Sequence, residues 1–364
     1  MTELTSQRDH YPALDGLRGV AIIAVIIYHN FPYGNSLFGW LGVDLFFVLS
    51  GFLITRILMK SIQQSPKIGV LKNFYIRRAL RIFPLYYLFL FVFLFLFPIL
   101  GIFKDEVMEY QEDKWWFIFY MQNWLFTNNF PENSHSLNHF WSLGVEEQYY
   151  ILWPIIIFFV RKPKKLIVIL IGFLILLFIF RCIFWNAQLS NFNYTTFYTF
   201  TRFDGIIIGS LVALIVQLKK DFLLHHTASI VTGLALLNFL FYFLNRDRQL
   251  PYLAFIGYTT FASMFGILVY ELTTGNNILL KKILSVSILR FLGKISYGLY
   301  MFHFPVYYFL RKDIFNFSDS VFGLPSVYNS LITGLITSLI AVILSIISYN
   351  FFEIQFLKLK QKFP

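Results

Sequence analysis

Residues 11–29 read YPALDGLRGVAIIAVIIYH, an apolar run that contains Arg18 and ends on His29. At 100° per residue, the eleven positions from Arg18 to His29 amount to three turns and about 20°, so both side chains lie on one stripe of a helix. They are about 16 Å apart along its axis. Because an ionisable side chain in hydrocarbon costs several kcal/mol, we expect both to face protein or a water-filled cavity. The pattern predicts a first membrane-spanning helix that also carries chemistry.

The composition of the whole chain is typical of a polytopic helical membrane protein. Of its 364 residues, 57% are hydrophobic and only 13% are charged, and the mean hydropathy is +0.64. A soluble domain of this length could not solvate such a surface. We expect one membrane domain over residues 1–364, which crosses the bilayer between about 11 and 356, without an appended soluble domain. The single Cys182 excludes an internal disulfide and a cysteine-based metal site.

The predicted fold class is all-α, with about ten transmembrane helices. The apolar windows lie near residues 17–34, 37–58, 83–102, 139–160, 165–185, 203–218, 224–244, 252–274, 287–310 and 327–356. The aromatic stretch WWFIFYMQNWLF (115–126) is too short to span and is predicted to be interfacial or re-entrant.

Loop charges predict the orientation of these helices. Segment 56–81 carries seven basic residues and no acidic one, whereas segment 103–138 carries six acidic residues and two lysines. Further basic residues lie at RKPKK (161–165), Lys219, Lys220, Lys281, Lys282, Lys358, Lys360 and Lys362. With ten spans all of these fall on one side, so the positive-inside rule places both termini in the cytoplasm. The same rule explains the net charge of +11, and a nucleic-acid partner is not expected.

With this orientation, ionisable residues from four helices fall into one layer of the outer half of the membrane. The layer contains His29, Asp44, Glu146, Glu147 and His303. Buried ionisable groups need partners, so a shared polar cavity is expected. A neutral imidazole beside a carboxylate is a suitable base for a hydroxyl nucleophile. The catalytic candidates are therefore His29, Asp44, Glu146 and Glu147, and one of the adjacent glutamates is expected to face the cavity while the other meets a structural partner.

A second cluster is predicted at the cytoplasmic face. Arg77, Arg78 and Arg81 share or adjoin one helical face, with Tyr86 just beyond. The planar guanidinium fork suits phosphate, which favours an anionic donor bound by these four residues and Arg18. The alternative is that the arginines set topology and contact anionic lipid headgroups.

Three more polar residues complete the candidate set. Arg202 and Asp204 open the sixth span, either as contacts for an acceptor molecule or as an exposed ion pair of little worth. His303 precedes Pro305 and is predicted to line the cavity or to be structural. No metal site is predicted, because His29 and His303 lack local ligand spacing.

Seven fragments, in order over residues 11–354, resemble the membrane-bound acyltransferase family 3, the O-acetyltransferase family of surface polysaccharides. They are YPALDGLRGVAIIAVIIYH (11–29), GVDLFFVLSGFLIT (42–55), RRALRIFPLYY (77–87), FWSLGVEEQYYILWP (140–154), RFDGIIIGS (202–210), GKISYGLYMFHFP (293–305) and SYNFFE (348–353).

The resemblance implies an O-acyltransferase of the bacterial cytoplasmic membrane, with acetyl-CoA or another acyl-CoA as co-substrate and no permanently bound cofactor. The acceptor would be a hydroxyl of an extracytoplasmic glycan or a lipid-linked saccharide. Arg18 and His29 match the paired Arg-X10-His motif of the family, and Arg78 and Arg81 lie in the motif associated with coenzyme A. Some relatives carry a hydrolase-like domain after the membrane domain, so a separate periplasmic or extracellular transferase is a possible partner.

Two mechanisms and one rival function stay open at the level of sequence. His29 either deprotonates the acceptor hydroxyl directly or carries the acyl group transiently. The rival is a proton-coupled transporter that uses the buried carboxylates as a relay.

Overall fold

The structure, a computed structural model, describes residues 11–32, 38–65, 68–128, 136–186, 191–218, 226–245, 252–275 and 277–363. No strand occurs in these ranges, and the all-α prediction is confirmed. The helices are α1 Pro12–Asn30, α2 Leu41–Gln64, α3 Gly69–Phe91, α4 Lys104–Ile118, α5 Gln122–Asn128, α6 Trp141–Val160, α7 Pro163–Asn186, α8 Asn191–Phe197, α9 Thr199–Arg202, α10 Asp204–Gln217, α11 Thr227–Asn245, α12 Tyr258–Thr274, α13 Ile278–Leu284, α14 Ser287–Lys294, α15 Ser296–Phe322, α16 Ser326–Ile347 and α17 Ile354–Leu359.

The chain is a multi-pass membrane protein, and three π-helical segments lengthen its helices within the described ranges. The α3 helix continues through Val92–Leu96 to Leu100, Leu253–Gly257 leads into α12, and α16 joins α17 through Ser348–Glu353. Seven helical segments of the described chain are long and apolar enough to cross a bilayer. A helix occupies every one of the ten predicted windows, but the 14-residue α10 is shorter than a full span, and neither α11 nor the 27-residue α15 is among the seven.

The bounds of the third helix differ from the sequence prediction. Hydropathy alone predicts a start near residue 83, whereas α3 begins at Gly69 and carries its arginines inside the helix. These arginines face a cavity and not the lipid, so they do not have to lie outside the membrane. The helix can therefore begin before the apolar window. The stretch 115–126 is divided between α4 and α5, and Tyr120 at the break has a left-handed backbone (φ 55°). Of the charged residues used to predict orientation, Lys67, Glu132, Lys219 and Lys220 lie outside the described residues.

Glycines allow the closest helix crossings, and these crossings position the later site residues. A Cβ atom on Gly51 of α2 would lie 1.9 Å from the carbonyl oxygen of Ile206 on α10, and one on Gly209 would lie 1.9 Å from that of Val48. On α1, a Cβ at Gly16 would lie 1.5 Å from the carbonyl oxygen of Leu284. Small residues at such crossings let helix backbones approach within the membrane, where packing rather than hydrophobic burial drives association.

The α2–α10 crossing gives a prediction for stability. Gly51→Ala is expected to destabilise the protein by about 1–3 kcal/mol or more, since backbone must move to admit the methyl group. Gly172→Ala on α7 is the matched control, because a Cβ there meets no atom within 4 Å. Thermal unfolding of the purified variants in detergent measures both effects. Equal unfolding temperatures for the two variants would contradict this description of the crossing.

Candidate active site

Two cavities formed by the described helices contain most of the predicted site residues. The first, here the arginine cavity, has a volume of about 200 Å³ and is lined by Arg18, Arg77, Arg78 and Arg81 among others. The second, here the histidine cavity, has a volume of about 310 Å³ and is lined by residues that include His29 and Arg202. Val43 and Tyr300 line both cavities. The helix α1 presents Arg18 to one cavity and His29 to the other, as expected for two polar residues on one stripe.

The arginine cavity has an excess of positive charge. Besides its four arginines it is lined by Lys360, and Glu146 is the acidic side chain among its lining residues. Arg18 donates a hydrogen bond to Ser296 Oγ (3.1 Å), and Arg77 donates to the carbonyl oxygen of Phe363 (3.1 Å). Arg78 packs over the Tyr150 ring at 3.7 Å. A cavity with this excess of cations favours an anionic ligand.

The adjacent glutamates have different surroundings. Glu146 lines the arginine cavity and accepts a hydrogen bond from Ser50 Oγ (2.7 Å), whereas Glu147 is not among the lining residues. Each has a carboxylate oxygen 3.9 Å from a nitrogen of Arg78. The structure therefore does not gather all five residues of the predicted layer at one cavity, because the glutamates lie with Arg78 and not with His29.

His29 is held by a second imidazole. His303 Nδ1 lies 2.8 Å from the carbonyl oxygen of Tyr300, and His303 Nε2 lies 3.1 Å from His29 Nδ1. A carbonyl oxygen only accepts hydrogen bonds, so in the neutral His303 ring the proton is on Nδ1 and Nε2 accepts from His29 Nδ1–H. The same N–H also lies 3.0 Å from the carbonyl oxygen of Val25. In the neutral His29 ring, Nε2 is then the nitrogen with the lone pair and the one able to take a proton.

His139 is a site residue that the sequence analysis missed. Its ring centroid lies 5.0 Å from that of His303 and 6.4 Å from that of His29, and it lines the histidine cavity. The available signal was its position directly before the FWSLGVEEQ motif. Histidine at a helix start has many structural uses, so the motif alone could not assign it. Among the described residues, no group of three or more histidine, cysteine or carboxylate side chains has the arrangement of a metal site.

Arg202 and Asp204 do not pair with each other, so the predicted exposed ion pair is wrong. Arg202 Nη2 donates to Asp44 Oδ1 (2.8 Å), and Asp204 Oδ2 accepts from Arg181 Nη2 (2.9 Å). All four side chains are buried. Residues two apart at a helix start point in different directions, so each finds its partner on another helix.

Asp44 contacts Arg202 and not His29. Its Oδ1 accepts from Arg202, and its Oδ2 has no hydrogen-bond partner in the described chain. The Arg202 guanidinium stacks over Tyr258 at 3.9 Å and lies 5.3 Å from the Trp141 ring. Asp44 therefore holds an arginine that lines the histidine cavity.

Several buried polar atoms at the histidine cavity lack a hydrogen-bond partner among the described residues. They are Nε and Nη1 of Arg202, both ring nitrogens of His139, Oδ1 of Asn138 and Oγ1 of Thr196. An unsatisfied buried polar group costs about 1–3 kcal/mol, so a set of them around one cavity indicates a site for a polar ligand.

Tyr86 is the one predicted donor contact that lies away from the arginine cavity. It is fully buried, its hydroxyl donates to the carbonyl oxygen of Phe117 (2.8 Å), and its ring stacks on Tyr120 at 4.1 Å. Tyr86 follows the arginines on α3, but its side chain packs against α4 and against the break that follows α4.

Comparisons with known proteins give a consistent set of relatives. The sequence profile of a family described as an acyltransferase domain matches residues 11–350. O-acetyltransferase OatA of Staphylococcus aureus is 33% identical over 362 residues, covering 94% of this chain and 57% of that protein. Peptidoglycan O-acetyltransferase OatA of Listeria monocytogenes is 30% identical over 326 residues, covering 82% of this chain and 50% of that protein. The chain thus spans about half the length of these curated relatives. No solved structure matches it.

Proposed function

This chain belongs to the acyltransferase domain family, and we propose that it is a membrane O-acetyltransferase of a cell-wall glycan. The family match confirms the resemblance that the seven motifs indicated. Acetyl-CoA is the proposed donor, and a hydroxyl of peptidoglycan or of a lipid-linked precursor is the proposed acceptor. The glycan is proposed because the S. aureus and L. monocytogenes relatives are named as O-acetyltransferases, the second of them of peptidoglycan.

The single observation that carries the proposal is the contact between two chemically different cavities. The arginine cavity has the charge to hold the phosphates of coenzyme A, and the histidine cavity has a base and unsatisfied polar groups for a sugar. Because Val43 and Tyr300 belong to both, a thioester bound on one side can meet a hydroxyl bound on the other.

The proposed chemistry uses the tautomer that the hydrogen bonds favour. His29 Nε2 takes the proton of the acceptor hydroxyl while its oxygen attacks the thioester carbonyl carbon. Polar donors at the histidine cavity stabilise the oxyanion of the tetrahedral intermediate. The carbon–sulfur bond then breaks, the ester remains on the acceptor, and the leaving thiolate takes the proton from His29. An acyl group carried transiently on His29 is the alternative within the same site.

The proposed topology completes the proposal. Ten crossings with both termini in the cytoplasm place the arginine cavity toward the cytoplasm, where acyl-CoA is made, and the histidine cavity toward the cell exterior. The membrane would be the bacterial cytoplasmic membrane. Residues 11–356 act as one membrane domain, and a separate extracytoplasmic transferase is a further acceptor for the acyl group.

The test is a transfer assay across a bilayer. The purified full chain is reconstituted in liposomes with labelled acetyl-CoA on the side of the arginine cavity and a glycan fragment on the other. We expect label on the glycan and release of coenzyme A. Arg81→Gln is expected to raise the KM for acetyl-CoA by at least about tenfold, since a hydrogen bond to a charged group contributes about 1.5–3 kcal/mol.

Arg56→Gln supplies the matched control, because Arg56 stacks on Tyr11 and does not line the arginine cavity. Its KM for acetyl-CoA should stay within about twofold of wild type, a smaller change than the loss of one hydrogen bond to a charged group would cause. Proton-coupled flux of a solute without coenzyme A release would favour the transporter and contradict the proposal.

A further inference from the structure

Two side chains line both cavities, and we call this pair the wall between them. Val43 of α2 and Tyr300 of α15 are the lining residues that the arginine and histidine cavities share. Both are buried, at 8% and 6% exposure. Any group that reaches from one cavity to the other therefore passes against a valine methyl group or a tyrosine ring.

Tyr300 is held in place by hydrogen bonds at its hydroxyl. That hydroxyl donates to the carbonyl oxygen of His139 (2.7 Å) and accepts from Ser142 Oγ (2.6 Å). The backbone carbonyl oxygen of Tyr300 also accepts a hydrogen bond from His303 Nδ1. A change at Tyr300 would therefore disturb the histidine cluster as well as the wall.

Val43 has a fixed backbone, and its buried side chain makes no hydrogen bond. A Cβ on the preceding Gly42 would lie 2.4 Å from the carbonyl oxygen of Ala21, so α2 is in direct contact with α1 at this point. The following Asp44 is paired with Arg202. Because both neighbours are held against other helices, a change at Val43 is expected to alter the space between the two cavities rather than to shift α2.

We propose that Val43 sets the size of the acyl group that the enzyme transfers. The inference depends on the proposed function, in which the thioester carbonyl comes within reach of His29 from the arginine cavity. In that position the acyl chain lies at the wall, where a short chain fits beside Val43 and a longer one collides with it. One methylene in an apolar pocket changes selectivity by about 10–200-fold, so a wall of this kind is sufficient to exclude butyryl.

The test compares acyl-CoA donors of increasing length. Val43→Ala is expected to raise the ratio of butyryl to acetyl transfer, measured as kcat/KM, by at least about tenfold. Val43→Ile adds a methylene and is expected to lower the ratio of propionyl to acetyl transfer. It serves as the second variant should the alanine protein fail to fold.

Val70→Ala is the matched control, with the same loss of two methyl groups at another position of the arginine cavity. Its ratios of butyryl to acetyl and of propionyl to acetyl transfer should stay within about twofold of wild type. This change is far smaller than the effect of one methylene on selectivity. Active Val43 variants with unchanged ratios would overturn the role of Val43 and leave the proposed function intact. A wild-type protein that transfers no acyl group from any acyl-CoA would overturn the proposed function and this proposal together.

Discussion

His29→Ala is expected to lower acyl transfer by about 10²–10⁴-fold, the usual contribution of a positioned general base. The hydrogen bonds at His29 Nδ1 make that nitrogen the donor of the neutral ring. The lone pair that takes the proton is therefore on Nε2. Alanine removes that nitrogen and leaves the arginine cavity unchanged. The expected loss is therefore in kcat, with the KM for acetyl-CoA within about twofold, measured with labelled acetyl-CoA in liposomes.

A control histidine separates this effect from a general loss of protein. His226 is exposed and lies outside both cavities, so His226→Ala should retain full transfer. Wild-type activity in His29→Ala protein that is correctly inserted would remove His29 from the mechanism.

His303 allows a test of how the base is held. In His303→Gln the side-chain oxygen can accept from His29 Nδ1–H as Nε2 does, whereas His303→Leu has no acceptor. If His303 positions His29, the glutamine variant should retain clearly more activity than the leucine variant at equal unfolding temperatures. Equal activities would show that the contact of 3.1 Å has no catalytic role.

Local sequence properties were sufficient to predict a helix in each apolar window, though not the start of α3, and to place Arg18 and His29 of α1 at different depths. Hydropathy and helical period depend on near neighbours, and the periodicity that places Arg18 and His29 on one stripe follows from chain geometry alone. The same reasoning separates Glu146 from Glu147, because adjacent residues diverge by about 100°. Where the prediction used only local geometry, the structure agrees.

Pairings between helices could not be predicted, because depth in the membrane does not determine which faces meet. Asp44 and Glu146 were expected at similar depth, yet one contacts Arg202 and the other lies beside Arg78. Arg181 falls within the apolar window 165–185, and hydropathy gives no sign that it is the buried partner of Asp204. These partners are set by glycine-mediated crossings such as that of Gly51, whose closeness depends on the tertiary fold.

Removal of one member of the Asp44–Arg202 pair is expected to destabilise the protein strongly. A buried charge left without its partner costs about 3–5 kcal/mol, so Asp44→Leu and Arg202→Met should each lower the unfolding temperature markedly. Replacement of both residues by apolar ones of similar size is often neutral, so the double variant should recover most of that stability.

Activity in the double variant then separates structure from function at Arg202. Its Nε and Nη1 have no partner among the described residues and lie at the histidine cavity, where an acceptor sugar is proposed to bind. We expect the stable double variant to lose about 10–150-fold in kcat/KM for the acceptor, the equivalent of one hydrogen bond to a charged group. Transfer assays with varied glycan concentration measure this loss.

The neighbouring ion pair provides the control. Arg181 and Asp204 form a pair of the same chemistry and burial, but neither is among the residues that line the arginine cavity or the histidine cavity. The double variant Arg181→Met with Asp204→Leu, where it folds, should transfer acyl groups at a rate within about threefold of wild type, less than the loss of one charged hydrogen bond. Full activity in the Asp44–Arg202 double variant would instead make that pair purely structural, since a guanidinium that binds the acceptor cannot be replaced by a thioether without loss.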